Sequence, residues 1–449
     1  VSIFRPGYLD NDTETFLNDE GTIHTNYEGY IHTKDIDIPF YDIISIDCIA
    51  DFVTNFTDRW ILKALINNSV WVKQIIPNRQ NLEVSLVSYL RSGTVKQRFK
   101  AVIPNHRLAV TPMEEVATLS ERELDRHTMG VCELQLQYLQ TEPLPAITCQ
   151  GVYRDVLVDS LLNALIKHYS KEVTVQTGAV IDDVVIFSSQ NKEPVRQLLL
   201  PSGTPLLKLA TLIQDRWGVY THGIANYIRP FEDRKMIWWV YSLYDTKRWG
   251  EASKLSINLG DSISAINTGV TYQRVDNTTY ILAAKSSTTS EGTDTRPPLA
   301  DTGFMVADTD RMVKTPFRWD SEGVYVDPQS LFRKVDIFTR DDDVTKNPLG
   351  STNTRNYFSV SSQISYLNVK PLLLNWHNSD HTILYPAMPV RVYLEHETKV
   401  NFLDGVLLGY HTTIDKYQQG TKTERYAENT MLNIVYMPPE LTEASNNEL

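Results

Sequence analysis

Phe402-Leu403-Asp404-Gly405-Val406-Leu407-Leu408-Gly409-Tyr410-His411-Thr412-Thr413-Ile414 is the stretch that decides the fold. Phe402-Leu403-Asp404-Gly405 reads as a turn, and the apolar and β-branched residues after it read as a strand. Upstream, Pro386-Ala387-Met388-Pro389 leads into Val390, Val392, Leu394 and His396, which alternate with Arg391, Tyr393, Glu395 and Glu397. Period two means a half-buried strand. Downstream, Thr421-Lys422-Thr423-Glu424-Arg425-Tyr426 is polar and strand-like, and Leu432, Ile434 and Tyr436 close the set. Several short antiparallel strands with turn signals predict a small barrel or sandwich.

The same signature lies near the start. Ile36, Ile38 and Phe40 alternate with polar or Pro positions, and apolar residues continue from Ile43 to Phe56. Residues 82–90 and 95–103 read as a hairpin around Arg91-Ser92-Gly93-Thr94. Thr111-Pro112-Met113-Glu114 reads as a helix start with a capping box. Residues 131–139 alternate strictly and predict a strand. Between the two β regions, Leu157, Val158, Leu161, Leu162, Leu165 and Tyr169 give residues 154–169 a helical stripe. A second helix is expected from Thr204 as N-cap and Pro205 as first position to a stop at Gly218. Strands are expected at 173–175, 184–187 and 236–244, the last with Trp238, Trp239 and Tyr241. The two β modules are similar in size and could share one topology.

Composition sets limits. The 449 residues exceed one ordinary domain, and 22% charged against 42% hydrophobic residues argues for a folded chain. Lys and Arg total 43 against 55 Asp and Glu, a net charge of −12. A surface that grips nucleic acid throughout would be basic. The 23 Tyr point to a β-rich, contact-forming protein. Cys48, Cys132 and Cys149 are widely spaced, which supports neither a disulfide framework nor a Cys-rich zinc site and fits assembly in a reducing compartment. No apolar run is long enough for a spanning helix, and the first residues lack a signal-sequence pattern.

Candidate chemistry is sparse. Asp301-Thr302-Gly303 matches an aspartic-protease triplet, but no second copy supplies the partner carboxylate. His377 and His381 have zinc-site spacing, yet Asn378-Ser379-Asp380 between them predicts a surface turn. Asp336 and Asp341-Asp342-Asp343 lack calcium-loop spacing and read as a solvated acidic loop. Phosphate-binding Gly loops and the GxSxG elbow do not occur. The expectation is a non-enzymatic protein with no catalytic residue, cofactor or metal.

The residues from Pro386 to Val392, Leu403 to Ile414 and Met431 to Tyr436 together resemble the closing tube domain of bacteriophage tail baseplate hub proteins. There a Pro-containing turn precedes a Val-rich strand, a Gly-Val strand carries a His near its end, and the last strand is apolar. The segment from Ser202 to Tyr220 is similar to the helix between the two tube domains of such hubs. The resemblance covers about a third of the chain. It implies a homotrimeric ring with two tube-like domains per subunit, joining the tail tube to a central spike and letting DNA pass. Implied partners are the tail tube protein, the spike, other baseplate proteins and the tape measure protein. The implied place is the virion tail, assembled in the cytoplasm of the bacterial host.

The resulting expectation is a mainly β fold with a few helices (α+β) and several domains. These are an extended arm over 1–40, a first tube-like β-barrel or sandwich over 41–150, and a helix-bearing middle over 151–250. A β-rich region with long loops over 251–370, a second tube-like domain over 371–437 and a polar tail over 438–449 follow. Trp238, Trp239, Tyr241, Val406, Leu408 and Tyr410 are the candidate interface residues, with the loops 285–298 and 340–356. A glycan-binding or glycan-degrading tail protein is the alternative from another class.

Overall fold

Strand pairing closes two separate six-stranded rings in this chain. The computed structural model describes residues 26–33, 36–90, 93–104, 109–110, 129–231, 235–250, 253–260, 272–285, 317–320, 323–326, 365, 369–396, 399–417 and 425–437. The first ring uses β1 (Asn26–His32), β2 (Asp37–Pro39), β3 (Asp42–Asp51), β4 (Arg59–Asn67), β5 (Glu83–Leu90), β6 (Gly93–Val102), β7 (Ala109–Val110) and β8 (Met129–Tyr138). β2 and β3 act as one interrupted strand. β2 pairs β1, and β3 pairs β4. The circle then runs β4–β8–β6–β5 and back to β1, antiparallel throughout. Phe40 N donates to Gly29 O at 2.9 Å and Tyr41 N to Leu65 O at 3.0 Å, so the composite strand changes partner at this break. Alternate residues fill the interior: Ile46, Cys48 and Ala50 on β3, Trp60, Leu62 and Ala64 on β4, Cys132, Leu134 and Leu136 on β8.

The middle of the chain holds β9 (Thr148–Val156), helix α1 (Val158–Thr177), β10 (Asp183–Ile186), β11 (Val195–Pro205), helix α2 (Leu209–Arg216), β12 (Ile224–Phe231) and β13 (Lys235–Ser242). β9 pairs β11, while β13 lies between β10 and β12. Seven of the eight residues of β13 are buried, as its unbroken apolar sequence requires.

The second ring uses β14 (Lys254–Gly260) and β16 (Thr278–Lys285), with the short β15 (Gln273–Val275) paired to β16. β17 (Phe317–Asp320) and β18 (Gly323–Val326) form a separate hairpin. β19 (Lys370–His377), β20 (Pro389–His396), β21 (Lys399–Tyr417) and β22 (Arg425–Tyr436) complete the ring. Its order is β14–β16–β19–β22–β21–β20 and back to β14. Strands numbered one to six along each ring (β2–β3 and β6–β7 each counted once) follow the same cyclic order, 1-2-3-6-5-4. The fold is therefore mainly β and multidomain, and the rings differ in the direction of their first strand. β14 is parallel to both neighbours, whereas β1 is antiparallel to both of its own.

Several local expectations change. Phe402-Leu403-Asp404-Gly405 is not a turn but part of the 19-residue β21. Its Asp and Gly are accommodated because Asp404 pairs Arg391 and Gly405 lies against a neighbouring backbone. Residues 173–175 belong to α1, since Val173 continues the stripe of Leu162 and Ile166. That helix starts at Val158, after β9 ends at Val156 and Leu157 takes an extended conformation as N-cap. Thr204 does not cap a helix: it lies in β11 and its hydroxyl donates to Pro201 O at 2.7 Å. The α-helix begins at Leu209 after a 3₁₀ turn, and Gly218 takes the expected left-handed conformation at φ 78°. β1 comes from the stretch read as an arm, and β14 and β16 from the stretch 251–370. The 111–128 helix start, Asp301-Thr302-Gly303, the Asp336–Asp343 group, both long loops beyond Lys285 and the tail lie outside the described residues.

Candidate functional site: the seam between the barrels

β21 belongs to both rings. Its first part pairs β20, from Lys399 opposite His396 to Val406 opposite Pro389. A bulge between Leu407 and Gly409 shifts the register, and its second part pairs β3, from Gly409 opposite Asp51 to Asp415 opposite Ser45. Phe52 N donates to the bulged Leu408 O at 2.9 Å, so the extra carbonyl is satisfied. Glycine is required on both sides of the bulge. A Cβ on Gly409 would stand 2.4 Å from Ala50 O, and one on Gly405 2.4 Å from Val435 O. Both obstacles are backbone, so any side chain pushes strands apart.

The seam makes one antiparallel sheet, β8–β4–β3–β21–β22–β19, across both barrels. One face of it forms the two cores. The opposite face carries the alternate residues, half-buried or exposed: Lys63 opposite Glu133, Asp47 opposite Thr413, and Thr413 opposite Asn429. Asn429 Oδ1 accepts a 3.2 Å hydrogen bond from His377 Nδ1, and His411 Nε2 lies 3.5 Å from Asp47. Arg59, Lys63, Asp47, Glu133 and Asp415 share this face with half-buried Ile49, Ile61 and Leu65. The face thus mixes charges of both signs with amide and apolar side chains.

Behind the seam lies a buried ionic cluster. Asp58 and Arg229 are each 1% exposed. Tyr227 donates to Asp58 Oδ1 at 3.0 Å and Tyr138 to Oδ2 at 3.2 Å, while Trp60 Nε1 donates to the Tyr138 oxygen at 3.1 Å. Arg229 Nε is 3.8 Å from Asp58 Oδ2, an ion-pair distance without a hydrogen bond. Its Nη2 donates to His381 O at 3.2 Å, and its guanidinium sits 5.2 Å from the centre of the Tyr410 ring. His381 Nδ1 is 2.9 Å from Glu428 Oε1, which also accepts from His381 N at 2.7 Å. Asp58 lies in the β3–β4 connection of the first barrel, Trp60 on its β4 and Tyr138 on its β8; Arg229 and Tyr227 come from β12, and Tyr410 and Glu428 from the second barrel, with His381 in the turn after β19. Three parts of the chain thus meet on one set of charges.

Burial shapes the protonation of this cluster. It raises the Tyr138 and Tyr227 pKa values well above 10, and the Asp58 carboxylate adds to the effect. For Arg229 burial acts downward, but Tyr410 and Asp58 outweigh it and the net shift is upward. Burial also opposes a charged His381. The carboxylate and hydrogen bond of Glu428 overcome that, and its pKa lies above 6.5.

All six candidate interface residues are buried within the chain. Tyr410 faces Arg229 and touches Phe52 edge-on at 5.9 Å. Tyr241 donates its hydroxyl proton to Phe52 O, which ties β13 to the end of β3. Trp239 stacks on Tyr385 at 5.2 Å, joining β13 to the loop before β20. Val406 precedes the bulge of β21, Leu408 is the bulged residue, and Trp238 is 1% exposed. These residues join modules of one chain. His377 and His381 sit around a turn, with Asn378 at φ 50°, but His381 is buried, not at the surface. Sequence reading missed Asp58, Arg229 and Glu428. The available signal was Arg229 in Tyr227-Ile228-Arg229, a charge inside an apolar strand.

No family model matches this chain, and no curated protein matches it. Solved structures do. The 43 kDa tail protein of prophage MuSo2 from Shewanella oneidensis aligns at TM-score 0.37 and 9% identity, over 92% of this chain and 99% of that one. A half-lidded Francisella PdpA-VgrG complex aligns at TM-score 0.37 and 8% identity, over 95% of this chain and 60% of that one. The lidless form of that complex gives 0.33 and 8%, over 92% and 64%.

Among the described residues, no group of His, Cys, Asp and Glu is placed to hold a metal ion, and no helix is long and apolar enough to cross a membrane.

Proposed function

We propose that this chain is a structural component of a phage tail, a baseplate hub whose copies form a ring between tail tube and spike. The observation that carries this reading is the single sheet running across two barrels of identical strand order. Two like modules, fixed side by side by strand pairing, are a ready unit for a ring in which each copy supplies two wall segments. The face of that sheet turned away from the cores would line the bore. Its charges are of both signs, so a polyanion meets no continuous cationic surface that would hold it. On this reading the −12 charge lies mostly away from the bore wall. The trimer, the spike and tube partners and virion location belong to the same proposal. The role is mechanical and needs no covalent step.

Electron microscopy of purified protein tests it. The expected image is a ring of three chains with an axial hole. A protein that stays monomeric at micromolar concentration, alone and with preformed tubes, would overturn the reading. Release of sugars from cell-wall glycan would favour the glycan-degrading alternative.

A further inference from the structure

Two barrels joined by one strand pair are fixed in spacing but not in angle. A ladder holds its strands about 4.8 Å apart, while the twist between neighbouring strands ranges over about 10–35° in sheets generally. The pairing of β3 with β21, from Ser45 to Asp51, therefore leaves the second barrel free to rotate against the first. Only a contact away from that line can remove the freedom.

β12 and β13 supply such a contact. Tyr227 lies opposite Trp239 and Arg229 opposite Ile237, and Tyr241 is two residues on from Trp239, so these side chains share one face. That face reaches both barrels. Toward the first, Ile228 N donates to Phe56 O at 2.8 Å, Tyr227 donates to Asp58 at 3.0 Å, and Tyr241 donates to Phe52 O. All three acceptors lie in the connection from β3 to β4. Toward the second, Arg229 Nη2 donates to His381 O at 3.2 Å, and Arg248, just after β13, donates from Nη1 to Ala387 O at 3.0 Å. Phe231 and Trp239 pack on Tyr385 with ring centres 5.4 and 5.2 Å away. His381, Tyr385 and Ala387 lie in the connection from β19 to β20. One connection of each barrel is thus gripped by the same two strands.

Arg229 stands at the centre of the grip, yet it is poorly satisfied. Its Nε and Nη1 meet no hydrogen-bond acceptor among the described residues, and Asp58 is 3.8 Å from Nε. A buried ion pair with so few hydrogen bonds adds little net stability over apolar side chains of similar volume. What it does is draw the Asp58 carboxylate of one barrel and the His381 carbonyl of the other to a single point. We propose that β12–β13 is a clamp that sets the angle between the two barrels, with Arg229 as the residue that fixes it. The β3–β21 ladder sets their spacing and the clamp their rotation. The clamp acts within one chain, so it holds whether or not copies form a ring.

Spin-label distances test it. Cys48, Cys132 and Cys149 are all buried, so introduced thiols are labelled selectively. Val72, between β4 and β5 of the first barrel, and Val275, in β15 of the second, are both exposed. The variant carrying Val72→Cys and Val275→Cys is labelled and diluted with unlabelled protein, so that only distances within one chain are read. A single narrow distance distribution is expected. Adding Arg229→Met should widen it roughly twofold with far-ultraviolet circular dichroism unchanged, because the ladder's own range of twist is then sampled. Asp58→Asn on top of Arg229→Met should leave it wide, even as stability recovers. A second label pair, from Tyr41→Cys and Val72→Cys, lies within the first barrel and should stay narrow throughout. An unchanged width between Val72 and Val275 in Arg229→Met would overturn the clamp and leave the ladder as the part that sets the angle. Widening of the pair inside the first barrel would mean that the core itself loosens, and would overturn it too. If Arg229→Met does not fold, Tyr241→Phe, which loses only the bond to Phe52 O, takes its place and is read in the same way.

Discussion

The two barrels share a strand order but not the direction of their first strand. β1 is antiparallel to both neighbours and β14 is parallel to both. Ring closure needs only that each edge find a partner, and parallel and antiparallel ladders both satisfy the backbone. What parallel pairing adds is a crossover connection, and β14 is followed by the longer path to β16. The order therefore belongs to the architecture, and the direction of one strand is free to vary. The barrels differ also in what lies across the seam. The first contributes an interrupted strand and the second an unbroken one with a bulge.

The most severe way to break the pair is through the charges behind the seam. Arg229→Met should cost about 3–5 kcal/mol, because Asp58 remains buried without its cation. Urea unfolding measures this, and an Asp58→Asn, Arg229→Met double variant should recover part of the loss. Gly409→Ala comes next, at about 1–3 kcal/mol, the usual cost of forcing atoms into a packed site. Amide exchange should then quicken in residues 45–51 while residues 399–406, paired to β20, stay protected. If both segments loosen together, the barrels do not behave as separate rings.

A smaller effect follows pH. The folded His381 pKa lies above its unfolded 6.5, so the stability it contributes is complete below 6.5 and lost as pH rises through the folded value. Urea midpoints should fall over that range in the native protein, and fall less in Glu428→Gln. The smallest change is expected from Arg391→Ala. This partly buried side chain donates to Asp404 at 2.6 and 2.8 Å between the rings of Trp249 and Phe402. Its loss should cost about 1 kcal/mol or less and touch only the second barrel.

The sequence showed the first barrel better than the second. Residues 82–103 form a hairpin with its turn inside one short window, and β8 alternates without a break. β14 and β16 are far along the chain from β19, so no window contains the ring they complete. Thr204-Pro205 fits a helix cap as well as the end of a strand, so the pattern alone does not place the start of the helix at Leu209. At the site, the aromatic residues of β13 and β21 are expected from the sequence to form contacts between subunits, and the structure buries them within this chain. Periodicity cannot tell a contact inside a chain from one between chains. Asp58 was invisible, since a lone carboxylate before a strand has the same pattern whether solvated or buried.

β21 spans roughly 60 Å at about 3.3 Å per residue. Pull it along its length, and the bonds to β20, β22 and β3 are loaded in shear all at once. Tear the barrels apart sideways, and the bonds to β3 fail one after another. The molecule is therefore stiff to forces along this strand and compliant to forces across it. A part that must carry thrust along one direction while being put together gently from its sides has use for that anisotropy.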